Sequence, residues 1–192
     1  MRRTLVHIGL FVGALTASGC ADYVYRPATA STTVPVAAYR VSAPDPRGEV
    51  FLRSPGIIPL PAIANEQGKS LHVSMVVDND AMQPWRVDTQ QLTVVLPDGS
   101  ERAPALAVSQ NGAIVPSVEV PPGAERVVDL YYPLPPDAQR ASRLKGFTAR
   151  WQIETAEGTV KGETLFHRVN VGSVTTPCGA HASEYCLSGY AS

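Results

Sequence analysis

Ser70-Leu71-His72-Val73-Ser74-Met75-Val76-Val77 is the stretch on which the fold turns. Leu71, Val73, Met75 and Val77 recur at every second position, and His72 and Ser74 stand between them. A period of two puts the first set on one face of a strand and the second on the other, so this is a strand buried on one side. Asp78-Asn79-Asp80 ends it with side chains that bond their own backbone and favour turns. The same period returns downstream. Phe147, Ala149, Trp151 and Ile153 alternate with Thr148, Arg150, Gln152 and Glu154, and Leu92, Val94 and Leu96 share a face. Val128, Leu130 and Tyr132 do so as well.

Turn chemistry separates these runs. Pro97-Asp98-Gly99-Ser100 folds Glu101 to Val108 back as a hairpin partner, Pro121-Pro122-Gly123 precedes Glu125 to Tyr132, and Ala156-Glu157-Gly158 precedes a last strand over Thr159 to Val169. Glu49 to Arg53 is a short first strand broken by Ser54-Pro55-Gly56, and Pro59 and Pro61 keep the next segment from being a central strand. Trp85 to Val87 opens another strand, and Ser109 to Ser117, with its Asn-Gly, is a loop or weak edge. Ala138 to Leu144, after Pro135-Pro136-Asp137 and before Lys145-Gly146, has helix start and stop signals in order and is expected as one short connecting helix. About seven short strands over residues 48–169 predict an all-β fold, an antiparallel β-sandwich with a small β-barrel as the alternative, and Trp85 and Trp151 as core anchors. The layout resembles immunoglobulin-like or fibronectin-type domains of bacterial envelope proteins.

Composition agrees. Of 192 residues 44% are hydrophobic and 17% charged, enough apolar material for a packed core. Gly and Pro number 15 and 17, which favours turns over long helices. A formal charge of −1 argues against a nucleic-acid binder, whose affinity comes from a basic surface.

The first twenty residues carry an address. Arg2 and Arg3 precede an apolar run from Leu5 to Leu15, which is too short to span a bilayer, and Ala17-Ser18-Gly19-Cys20 follows. This arrangement resembles the lipobox of bacterial lipoproteins. The resemblance implies cleavage of a signal peptide, residues 1–19, and a covalent lipid on Cys20 as the membrane anchor, with no other cofactor. Ala21 rather than Asp directly after Cys20 implies the outer membrane, with the domain facing the periplasm. Without residues 1–19, which hold two arginines and no acid, the formal charge is −3. Residues 20–47, rich in Pro, Ala and Thr, are expected as a flexible tether, the alternative being an edge strand over Val34 to Val41.

Chemistry-bearing motifs are few. The sequence has no G-x-S-x-G, H-E-x-x-H, P-loop or G-x-G-x-x-G. A Ser, His72 or His167, and Asp triad assembled in space stays open to the fold. Asp78-Asn79-Asp80 begins like a calcium loop, but Met82 and Gln83 stand where a ligand and a glycine belong. His72, Met75 and Met82 have the donor types of a soft copper site, yet His72 and Met75 are three apart on a strand and point to opposite faces. The tail, residues 170–192, holds Cys178 and Cys186 after Pro177, and in an oxidising compartment these are expected to pair as a disulfide. The rival is a zinc or copper site on Cys178, His181 and Cys186, which lacks a local fourth ligand. The expectation is thus a non-enzymatic, membrane-anchored envelope lipoprotein whose β domain binds a protein or glycan partner or serves envelope structure. Its alternative is a periplasmic metal-binding protein that uses the Cys/His tail.

Overall fold

The alternation in residues 70–77 becomes the central strand of an antiparallel sheet. In the computed structural model, which describes residues 23–29, 36–42, 46–61, 68–140 and 143–170, Leu71, Val73, Met75 and Val77 are fully buried. The strands are β1 (Tyr23–Pro27), β2 (Ala37–Ser42), β3 (Pro46–Pro59), β4 (Lys69–Asn79), β5 (Trp85–Asp88) and β6 (Thr93–Val95). They continue with β7 (Glu101–Arg102), β8 (Leu106–Ser109), β9 (Ser117–Val120), β10 (Ala124–Pro133), β11 (Gly146–Thr155) and β12 (Gly158–Asn170). The path runs β7-β6-β11-β12-β1-β3-β4-β10-β8, with β2 beside β3, and β5 between β11 and β9. All pairings are antiparallel, and the sheet curls into half a barrel.

The curl has a definite seam. β1 pairs along its whole length with β12, from Tyr23 opposite Asn170 to Pro27 opposite Phe166, but meets β3 only where Tyr25 faces Ser54. On one side of the seam lie β12, β11 and β6, and on the other β3, β4, β10 and β8. The two halves pack on each other across one core that holds Leu52, Val73, Met75 and Leu130 from one half and Val94, Trp151, Ile153 and Phe166 from the other. Tyr39 of β2 lies against Trp151 with ring centroids 5.2 Å apart. The buried Tyr132 hydroxyl crosses the core to donate to the Leu92 carbonyl at 3.1 Å. Trp85 and Trp151, 1% and 5% exposed, are core residues as expected. Trp151 fits because Gly162 faces it on β12, and a Cβ there would run into the indole.

Several expectations change. The described residues hold twelve strands rather than about seven, and part of the segment expected as a tether, 20–47, is built into the sheet as β1 and β2, the second of which overlaps the alternative edge strand over Val34 to Val41. Ala37 and Val41 are buried and Tyr39 is half-buried, so a period-two face hides in what looks like linker composition. The β domain therefore begins at or before Tyr23 rather than at Gly48. β3 does not stop at Ser54-Pro55-Gly56. It runs to Pro59 because its register against β4 shifts between Arg53 and Gly56, and this bulge absorbs a proline that has no N–H to donate. Residues 101–108 do not form one strand. Glu101 and Arg102 pair with β6, whereas Leu106 to Ser109 cross to pair with β10, and Pro104 lies in the crossing.

The short connecting helix over 138–144 is also replaced. Its described residues form successive turns, with Ala138 N–H donating to the Pro135 carbonyl and Arg143 N–H to that of Arg140. Two turns of helix do not repay nucleation in isolation, and the segment is held from outside instead. Leu144 is 3% exposed in the core, and its carbonyl accepts from the Tyr25 hydroxyl. Among the described residues the only helix is a 3-10 turn, Thr89–Gln91, capped by the Asp88 side chain.

Candidate functional site

His72 and Ser74 lie on the outer face of β4, and the register of β4 against β10 sets Tyr131 opposite His72 and Asp129 opposite Ser74. His72 Nε2 and Asp129 Oδ1 are 2.9 Å apart. The Tyr131 ring stacks on the imidazole at 4.7 Å and 7°. Both members of the pair are largely covered, with the side chains of His72 and Asp129 15% and 31% exposed. Burial by itself would raise the Asp129 carboxyl, but the His72 hydrogen bond and charge, helped by Ser74 and Arg53, outweigh it and hold the group below the ordinary carboxylate range. Tyr131 moves the other way, its phenol raised by burial and by the Asp129 charge.

The cluster contains Ser, His and Asp, yet it is not wired as a relay. A nucleophilic hydroxyl must bond to the imidazole nitrogen that takes its proton. Ser74 is 1% exposed, and its Oγ makes no hydrogen bond of normal geometry. Ser54, the other nearby hydroxyl, donates to the backbone carbonyl of His72 at 2.7 Å rather than to its ring. The chemistry this arrangement supports is a clamp between β4 and β10. A carboxyl depressed in the folded state adds stability above its unfolded pKa of about 3.9 and loses it as pH falls through the folded value. Asp129→Asn is accordingly expected to lower stability near neutral pH and to flatten the loss on acidification below about pH 4, as read from urea midpoints across that range. An unchanged acid profile would remove the clamp from the account.

The turn expected at Asp78-Asn79-Asp80 comes later, because Asp78 and Asn79 continue β4, paired with β3 and β10, and the Asn79 side chain secures the bend that follows. The buried Asn79 side chain donates to the Gln83 and Val120 carbonyls at 2.9 and 2.8 Å and accepts from the Ala81 N–H at 2.9 Å. Met75 is fully buried and Met82 is 88% exposed, so the fold does not bring His72, Met75 and Met82 together. His167 lies on β12, in the other half of the sheet from His72. Cys20, Cys178, His181 and Cys186 lie outside the described residues, so the lipidation, disulfide and metal expectations rest on sequence. Among the described residues no three His, Cys, Asp or Glu side chains are grouped to hold a metal ion.

Two concavities remain. A cleft of about 160 Å³ is walled by Val41, Trp85, Thr159 and Val160 and closed by an ion pair between Arg47 and Glu157. A larger, more open groove of about 510 Å³ lies between the β8–β9 loop, with Ser109, Gln110 and Asn111, and the strands carrying Glu119, Arg126 and Val127. Its lining sets hydroxyls, amides and one charge of each sign beside Val115, Val118 and Val127, so it offers polar and apolar contacts together. Asp129 and Tyr131 were visible in sequence as outward residues of an alternating run, but which histidine they meet depends on strand register.

No family model and no curated protein matches the chain. Among solved structures it is similar to the X-ray structure of Northeast Structural Genomics Consortium target SoR45, at 9% identity and a TM-score of 0.28, over 82% of this chain and 92% of that one. A likeness at that level carries no argument about fold or function.

Proposed function

We propose that this protein is a lipoprotein of the bacterial outer membrane, acylated on Cys20 and facing the periplasm, which presents a non-catalytic immunoglobulin-like β-sandwich to a protein or glycan partner. The observation that carries the reading is the Arg2-Arg3, apolar run and Ala17-Ser18-Gly19-Cys20 series standing directly before a strand, since β1 begins only three residues after Cys20. Two half-sheets that share one core support the sandwich. The polar groove beside the β8–β9 loop is the surface best suited to the partner, because hydroxyl and amide side chains recognise glycans and peptide backbones alike. Cys178 and Cys186 are proposed to pair, which closes a short loop in the tail. Several acyl chains, at about 0.8 kcal/mol per buried methylene, give the stable anchoring that a single chain does not.

Growth with a labelled fatty acid tests the anchor. The wild-type chain is expected to take up the label and to fractionate with membranes, and Cys20→Ala to lose both. Label retained by Cys20→Ala would move the anchor elsewhere, and no label on the wild type would end the lipoprotein reading.

A further inference from the structure

The strand order gathers the chain's described beginning and several loops at one end of the domain. Tyr23 pairs with Asn170, and Gly146 with His167. Arg168 N–H donates to the Lys145 carbonyl, and Leu134 N–H to that of Lys69. Residues 134–140 and 143–145, the start of β4 and the end of β12 therefore share the end where β1 begins. Lys69, Arg140, Arg143 and Lys145 are exposed there, and Arg168 is half-buried. The acids described at this end are Asp98, in the β6–β7 turn, and Asp137.

The opposite end has the reverse balance. Glu49, Asp78, Asp80, Glu125 and Glu157 outnumber Arg40, Arg47 and Arg126 around the β2–β3, β4–β5, β9–β10 and β11–β12 connections, where Arg40 pairs with Glu49 and Arg47 with Glu157. Asp80 and Glu49 lie close enough to Asp78 to add to the effect of burial in raising its carboxyl. The charges of the described residues are thus sorted along the axis of the domain.

From this sorting we infer that the basic end, formed by Lys69, Arg140, Arg143 and Lys145, rests on the anionic phospholipid headgroups of the membrane in which Cys20 is anchored. The inference relies on acylation of Cys20 to bring the domain to the bilayer. Three Cα steps of 3.8 Å limit the distance from Cys20 to Tyr23 to about 11 Å. Full extension is the upper limit, and any shorter link brings the start of β1 within the screening length of about 8 Å at physiological ionic strength, the range in which cations at this end attract the headgroup charge. A spacer of the length expected from residues 20–47 would have carried them out of range. Because β1 is clamped between β12 and β3, the anchor fixes which end faces the lipid. The acidic end and the polar groove near it are then turned toward the periplasm.

Vesicle sedimentation of the chain from residue 20 onward, carrying Cys20→Ser so that no acyl group contributes, tests this. The cut removes no described residue. At low salt the protein is expected to sediment with vesicles of equal parts phosphatidylglycerol and phosphatidylcholine, not with phosphatidylcholine alone, and to be released by high salt. The triple charge reversal Arg140→Glu, Arg143→Glu and Lys145→Glu should weaken partitioning about a hundredfold or more, since each basic side chain near an anionic surface is worth roughly a factor of five. All three side chains are exposed, and an unchanged Tm verifies that the variant is folded. Equal sedimentation with both vesicle types, or binding that survives the reversal, overturns the proposal. Fatty-acid labelling of Cys20 is read separately, so a lost anchor with intact vesicle binding and an intact anchor without it are distinct results.

Discussion

Tyr25→Ala is expected to destabilise the domain by about 3 to 5 kcal/mol, the range for removing a large buried aromatic side chain. Tyr25 is 1% exposed. Its ring meets Phe147 edge to face at 5.4 Å, and its hydroxyl donates to the Leu144 carbonyl at 2.9 Å. The substitution therefore empties a core position, orphans a buried carbonyl and loosens the one strand that joins the two halves of the sheet. Denaturant unfolding of the wild type and the variant measures the effect, and Tm should fall by roughly 2 to 4 °C for each kcal/mol. A loss under about 0.5 kcal/mol, typical of exposed positions, would return residues 23–27 to a tether.

Titration gives the same position a second signature. Burial, opposed by the Arg168 charge, pushes the Tyr25 phenol up to about 12. The folded state thus favours the neutral phenol. The associated stability is complete below the unfolded value of about 10 and drains away as pH rises through the folded one. Tyr25→Phe keeps the ring, gives up the hydrogen bond and should lessen alkaline destabilisation in that window.

Gly48→Ala is the other large effect, with an expected loss of about 3 to 5 kcal/mol from backbone strain and overpacking together. Gly48 has φ of 144°, a conformation that residues with a Cβ rarely adopt. It pairs with Asn79, and a Cβ there would collide with the Asp78 carbonyl oxygen and lie 2.7 Å from the Trp85 ring. The backbone on one side and a buried indole on the other leave it nowhere to go. Gly123→Ala is the control, because its φ of 67° is also left-handed but nothing lies within 4 Å of the added carbon. That variant should lose only about 1 to 2 kcal/mol. Equal losses in the two variants, measured by urea unfolding, would mean that strain alone operates at Gly48 and that β3, β4 and Trp85 have room to separate.

These two positions show how unevenly the fold can be read from the chain. Gly48 is visible in sequence only as a boundary, and its constraint comes from Asp78 and Trp85, thirty or more residues away. Tyr25, in the short run Tyr23-Val24-Tyr25, and the lone Tyr39 are surrounded by Ala, Thr and Pro, and composition argues for linker. β1 and β2 need few apolar side chains of their own because β12, β3 and Trp151 supply the rest of the buried surface. The break expected at Ser54-Pro55-Gly56 and the helix expected over 138–144 fail for a related reason. A register shift absorbs the proline in one, and long-range contacts to Leu144 hold the other as turns.

The candidate sites divide in the same way. Cys20, Cys178 and Cys186 are matters of local sequence, since processing and pairing signals are short and need no register to be recognised. The His72–Asp129–Tyr131 clamp and the basic end need the alignment of β4 with β10 and of β1 with β12 before any residue acquires its neighbour. By itself the sequence determined the all-β character, the inward faces of β4, β10 and β11 and the two tryptophan anchors, because a period of two is imposed by the strand backbone and burial follows from it. Tertiary structure alone decided that β1 joins the sheet, that the edge strand rather than the tether holds at β2, how the halves meet, and that the cations gather at the end where β1 begins. Those outcomes depend on pairings between distant segments, which no local pattern encodes.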